Sequence, residues 1–143
     1  MIQPGHWKGQ YTFGNPAHNK LRGFELTTFY IDITSVDGHQ FSGTVEDDLS
    51  TGGTEGIGEI TGKVSGDFIE FVKQMPVKTV IEADGRRSTY NKKHRKLYYS
   101  GKMAADGKSI SGSWRFRSEL IWVGLVPHVS EPVGGTWSMA LVG

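Results

Sequence analysis

Apolar and polar residues alternate along most of this chain. In Ile110-Ser111-Gly112-Ser113-Trp114-Arg115-Phe116-Arg117 the apolar residues and the glycine take every second position, the period of a strand with one dry and one wet face. The same apolar-x-Gly-x-apolar phrase recurs as Trp7-Gly9-Tyr11, Phe41-Gly43-Val45, Ile60-Gly62-Val64 and Tyr99-Gly101-Met103, with Gly135-Thr136-Trp137-Ser138-Met139 as a close variant. Glycine normally weakens a strand, so its return in mid-strand marks sharp bends or close backbone approach. These related segments predict one curved sheet.

Taken in order, Trp7 to Phe13 predicts a first strand, stopped by Gly14-Asn15-Pro16 and followed by a polar loop. Phe24 to Thr34 predicts the second. Its apolar phase slips between Leu26 and Phe29, as a β-bulge would make it. Asp37-Gly38 is a hairpin signal, and Phe41 to Asp47 returns as the third strand. Leu49 to Gly56 reads as a wide loop, Ile57 to Ser65 as the fourth strand, and Gly66-Asp67 as a tight turn into the fifth, where Ile69, Phe71 and Lys73 share a face. Val77 to Ala83 is β-prone, Asp84-Gly85 is a hairpin turn and Tyr98 to Met103 is a strand. Asp106-Gly107 turns into Ile110 to Phe116, Ser118 to Gly134 reads as an irregular apolar crossing, and Gly135 to Val142 is the last strand. No segment carries an i, i+3, i+4 apolar stripe, so no helix beyond about two turns is predicted.

The fold class is therefore all-β. An antiparallel up-and-down barrel closes only with an even number of strands. If Pro76 marks a bulge in one long strand, Asp67 to Ala83 pairs back onto Arg87 to Met103 as a long basic hairpin and the count is eight, which is preferred. Counting Val77 to Ala83 separately and adding Ile121 to Val126 gives ten, the alternative. A single β-barrel domain over 1–143 is expected at this length.

Composition narrows the chemistry. There is no cysteine, so disulfides, thiolate metal sites and a thiol nucleophile are all excluded. The net charge of +1 supplies no global field toward nucleic acid or an anionic membrane, so any electrostatic partner must be read from a local patch. The first residues lack a basic stretch followed by an apolar one, and no apolar run reaches about eighteen residues. The expectation is a soluble, cytoplasmic protein with no membrane partner.

Gly5-His6-Trp7, repeated in form by Gly112-Ser113-Trp114 and Gly135-Thr136-Trp137, resembles the Gly-x-Trp that opens the first strand of lipocalins and avidins. Together with the strand pattern over most of the length, the chain resembles the calycin-like barrels, the group of lipocalins, avidins and fatty-acid-binding proteins. The resemblance implies an eight-stranded barrel that binds a small molecule in its lumen. In lipocalins an Arg of the last strand packs over the first Trp; here the last strand has none, and Arg115 or Arg117 is the substitute on offer. The helix pair that caps fatty-acid-binding proteins does not fit between Phe13 and Phe24, and no biotin-site residues carry over.

If the phrases face inward, the lumen is lined by Trp7, Tyr11, Phe13, Phe41, Val45, Ile60, Val64, Phe71, Tyr99, Met103, Trp114, Phe116, Trp137 and Met139. They either fill an eight-stranded barrel solidly or surround a ligand; the glycines, by removing side-chain volume, favour a cavity. The alternation also carries Asp47 and Lys73 inward at one mouth, where they form a structural ion pair, solvated strand ends or ligand-orienting groups. The expected ligand site is Trp7, Tyr11, Phe41, Asp47, Phe71, Lys73, Tyr99, Trp114 and Trp137. Arg86, Arg87, Lys92, Lys93, Arg95 and Lys96, with Tyr90 among them, form the one basic run, either a polyanion-binding patch or a solvated edge.

Catalytic signals are sparse. His6, His18, His39, His94 and His128 lack the spacing of a metal triad, and no nucleophile elbow, phosphate loop or dinucleotide fingerprint occurs. No metal, cofactor or catalytic residue is assigned. The preferred function is non-enzymatic binding of a small apolar or aromatic molecule in the lumen. The alternatives are an interaction domain using the basic hairpin 86–96 and the apolar crossing 120–126, which includes self-association and for which nucleic acid is not the favoured partner, or a lumen isomerase or cyclase using Lys73 or Tyr99.

Overall fold

The alternating segments become strands whose apolar positions point inward. The computed structural model describes residues 2–76, 78–81, 87–90, 96–116, 120–123, 126–129 and 133–143, with backbone pairing alone for 78–81, 87–90, 120–123 and 126–129. The strands are β1 (Gly5–Phe13), β2 (Thr27–Asp37), β3 (Gln40–Asp47), β4 (Ile57–Ser65), β5 (Phe68–Gln74), β6 (Lys78–Ile81), β7 (Arg87–Tyr90), β8 (Leu97–Met103), β9 (Ser109–Phe116), β10 (Leu120–Val123), β11 (Val126–Val129) and β12 (Val133–Leu141). Eight of them close an antiparallel up-and-down barrel in the order β1-β2-β3-β4-β5-β8-β9-β12. β1 pairs with β12, Tyr11 opposite Trp137 and Trp7 opposite Leu141. The two terminal strands thus meet as the parity of the sequence requires, with their tryptophans four rungs apart.

The ten-strand alternative is not realised. β6 and β7 form a two-stranded sheet of their own, as do β10 and β11. The long hairpin expected over 67–103 is interrupted after Gln74, where Pro76, lacking an N–H, cannot continue the ladder. The crossing 118–134 contains the β10–β11 hairpin and is not wholly irregular.

Two further expectations are corrected. The second strand starts at Thr27, and its register shift lies between Ile33 and Ser35, not between Leu26 and Phe29. Leu26 sits in the preceding connection and is exposed. The polar loop after β1 contains a helix, α1 (Pro16–Arg22), capped by the Asn15 side chain, which accepts from the Ala17 N–H at 3.0 Å. Asn-Pro stops a strand, but it also opens a helix, since Asn caps and Pro suits the first turn. Seven residues are too few for a helical stripe to show.

β1, β3, β5 and β9 run the same way, and the chain leaves each through a long connection: 14–26, 48–56, 75–96 and 117–132. At the opposite end β2–β3, β4–β5 and β8–β9 are joined by short turns around Gly38, Gly66 and Gly107, whose φ angles of 61°, 63° and 70° only glycine adopts freely. The barrel therefore has a hairpin end and an end at which its long connections leave and re-enter it.

Candidate functional site

Beneath the long connections Lys73 of β5 reaches across to Asp47 at the end of β3, with Nζ 2.7 Å from Oδ1. Their side chains are 3% and 1% exposed. The second carboxylate oxygen accepts the Thr54 N–H at 3.1 Å and the Tyr11 hydroxyl at 3.4 Å. The connection 48–56 is folded back over Asp47 by a short 3-10 turn (Leu49–Thr51) capped by Asp48. The lysine ammonium carries three N–H groups and, among the described residues, meets this single oxygen as its hydrogen-bond acceptor. Around it stand the faces of Tyr11, Phe29 and Tyr99, with ring centres 5.1, 5.7 and 5.9 Å from Nζ, close enough for cation–π attraction.

Both tyrosines hold their protons more tightly than a free tyrosine. Burial pushes the Tyr99 hydroxyl well above the ordinary tyrosine value, with the Asp47 carboxylate adding to it. Burial and Asp47 also raise Tyr11, against a smaller opposing pull from Lys73. Both hydroxyls keep their protons at neutral pH, and that of Tyr11 is donated to Asp47.

A second buried cation lies alongside. Arg22, the last residue of α1, stacks over Phe13 at 5.0 Å and Tyr11 at 5.6 Å. Its guanidinium donates to the side-chain oxygens of Asn19 and Thr27 and to the Glu25 carbonyl. Thr27 in turn donates to the Thr51 carbonyl at 2.7 Å, which ties the 14–26 and 48–56 connections together. Arg22, Asn19, Thr27 and Phe29 are absent from the site read off the sequence. An arginine in a polar stretch looks solvated until α1 turns it inward, whereas Phe29 carried a legible signal in the Phe29-Ile31-Ile33 phase.

The expected ligand residues divide by depth. Tyr11, Asp47, Lys73, Tyr99 and Trp114 come together at the end with the long connections, Trp114 lying 5.8 Å from Tyr11 and 6.4 Å from Tyr99. Phe71, Phe41 and Trp137 lie deeper: Phe71 stacks on Tyr99 at 4.8 Å, Trp137 meets Phe71 edge-on at 5.4 Å, and Phe41 is 6.2 Å from Phe71. Trp7 is toward the hairpin end, its indole N–H donating to the Gln3 carbonyl at 3.0 Å. Trp114 and Trp137 likewise spend their N–H groups on backbone carbonyls, of Thr12 and of Ser100 and Ser113.

The glycines do not hollow the lumen. A Cβ added at Gly9 would stand 2.5 Å from Phe29 Cζ, and one at Gly62 would stand 2.7 Å from Phe41 Cζ. Rings from other strands already occupy that volume.

Arg115 does not cover Trp7. It lies outside the barrel, its guanidinium 5.5 Å from the Tyr98 ring, and Arg117 falls outside the described residues. Of the basic run, Arg86, Lys92, Lys93 and Arg95 fall outside the described residues, Arg87 is in β7, and Lys96 is exposed. His6 pairs with Asp32 on the outer surface and His18 packs edge-on against Phe13. No helix among the described residues is long and apolar enough to cross a membrane. Compared with protein-family models, with curated proteins and with solved structures, the chain matches none.

Proposed function

We propose that this protein is a non-enzymatic, calycin-like carrier that binds a small aromatic or apolar molecule at the end of the barrel bearing the long connections. Lys73 would meet an acceptor on the ligand while Tyr11, Phe29, Tyr99 and Trp114 provide flat apolar contact. One observation carries this reading: a lysine only 3% exposed that, among the described residues, has one carboxylate oxygen for its three N–H donors and three ring faces around it. A buried ion pair is often no more stabilising than well-packed apolar residues of the same size, so its presence among aromatics favours a role in recognition. The sequential barrel order and Gly-x-Trp at the start of β1 support the calycin-like assignment.

The test uses 1-anilinonaphthalene-8-sulfonate, a flat aromatic anion. Saturable binding that quenches the tryptophan emission is expected. Lys73→Met alone leaves Asp47 buried and unpaired, a loss of about 3 to 5 kcal/mol, so the informative variant is Lys73→Met with Asp47→Asn. That variant is expected to keep the native circular dichroism and bind the probe at least about tenfold more weakly. Lys63→Met, on the outer face beside Glu70, should bind normally. Native-like binding by the double variant would overturn the proposal.

A further inference from the structure

The surroundings of Lys73 do not match the needs of an ammonium ion. Such an ion is compact, strongly hydrated and carries three N–H groups, yet among the described residues Asp47 Oδ1, at 2.7 Å, is its one hydrogen-bond acceptor. The ring centres of Tyr11, Phe29 and Tyr99 lie 5.1, 5.7 and 5.9 Å from Nζ. Phe29 and Tyr99 are themselves buried. A nitrogen with a single N–H and a flat, delocalised positive charge fits these surroundings better. It has one donor for the one oxygen, and a face to set against the rings. A protonated imine is such a nitrogen.

The carboxylate is placed to serve that nitrogen. Asp47 Oδ2 accepts the Thr54 N–H at 3.1 Å and the Tyr11 hydroxyl at 3.4 Å, which leaves Oδ1 to Lys73. Among the described side chains every other lysine, Lys8, Lys20, Lys63, Lys96, Lys102 and Lys108, is exposed. The chain has no cysteine to compete for a reactive carbonyl group.

We infer that Lys73 captures the aldehyde group of a flat, conjugated ligand as a protonated imine, with Asp47 as its counter-ion. The inference rests on the carrier reading above and makes the ligand's acceptor a carbonyl group. The step balances within the pair. Asp47 Oδ1 takes one proton from the Lys73 ammonium, and the freed lone pair forms a bond to the carbonyl carbon while the carbonyl π electrons pass to its oxygen. A proton then moves from nitrogen to that oxygen, giving a carbinolamine. Asp47 returns its proton to the hydroxyl, the C–O bond breaks, water leaves, and the nitrogen lone pair closes the C=N bond. The nitrogen keeps one N–H, opposite Oδ1. Ammonium and aldehyde have become iminium and water, so the charge of the site is unchanged and no new ion is buried. The three ring faces hold back the water that would hydrolyse the imine.

The probe is 4-dimethylaminocinnamaldehyde, a flat aromatic aldehyde whose protonated imine absorbs at longer wavelength than the aldehyde itself. Mixed with the full chain it should give the long-wavelength band and displace 1-anilinonaphthalene-8-sulfonate. Cyanoborohydride, which reduces the imine to a stable amine, should then fix one adduct per chain. Peptide mass spectrometry should place it on Lys73, in at least about tenfold excess over any exposed lysine, because the bound aldehyde is held beside Nζ. Lys63→Met should keep this adduct, and Lys73→Met with Asp47→Asn should lose it. Displacement of the sulfonate with no adduct at Lys73 would overturn the inference and leave the carrier reading standing. An adduct spread evenly over the exposed lysines would overturn it as well. Failure of both probes to bind would remove the carrier reading and the inference with it.

Discussion

Lys73 has exchanged water for a carboxylate and three aromatic faces, and the same exchange governs the tyrosines beside it. A tyrosinate at Tyr11 or Tyr99 would be a second anion next to Asp47 in a dry site, so both groups hold their protons in the folded protein beyond the ordinary value of 10.0. The sign of the linkage follows. Above about pH 10 the unfolded chain releases these protons and the folded one keeps them, so stability is intact below that point and falls as pH rises. Each tyrosine contributes a slope of about 1.4 kcal/mol per pH unit. An absorbance titration at alkaline pH should show Tyr11 and Tyr99 ionising only together with unfolding. Early, reversible ionisation of all five tyrosines would contradict the burial described here. Alternation alone brought Asp47 and Lys73 to one mouth, because β3 and β5 run the same way. It left open whether they pair, face solvent or wait for a ligand, since that depends on an intervening strand, β4, and its stagger.

At the scale of the strand, the recurring glycine is a contact point. Gly101 of β8 faces Gly112 of β9, and a Cβ at Gly112 would stand 2.5 Å from Gly101 Cα. The Trp137 indole fills the inner side, donating to the carbonyls on either strand, Ser100 at 3.1 Å and Ser113 at 3.0 Å. Backbone cannot retreat as a flexible side chain can. Gly112→Ala should therefore cost about 3 kcal/mol, at the upper end of overpacking effects, whereas Gly38→Ala, in an open turn with φ of 61° and nothing within 4 Å of the new methyl group, should cost about 1 kcal/mol. Urea denaturation of the two variants checks the order; equal losses would mean that the bend at Gly112 is not a close approach. The phrase was legible in the sequence as a mark of bending, but the ring that fills each gap comes from a distant strand and carries no local signal.

For the molecule as a whole, closure rests on eight strands, and the two accessory hairpins are additions to one end. Phe116 and Val133 are directly paired across β9 and β12, the geometry that a two-residue turn connects. Replacing 117–132 by Asn-Gly should leave the far-ultraviolet circular dichroism of the barrel and a melting temperature within about 5 °C. Loss of cooperative unfolding would show that the barrel depends on that connection.

Period-two alternation and the turn residues between segments decided the strands, their inward faces, the antiparallel order and the meeting of the two termini. Each of these follows from neighbours one or two positions apart or from a parity count. The burial of Arg22, the ion pair at 2.7 Å and the filling of glycine gaps by Phe29, Phe41 and Trp137 were decided by the closed barrel. They depend on strand tilt and stagger, which are set when the whole sheet closes on itself and leave no trace in the local pattern.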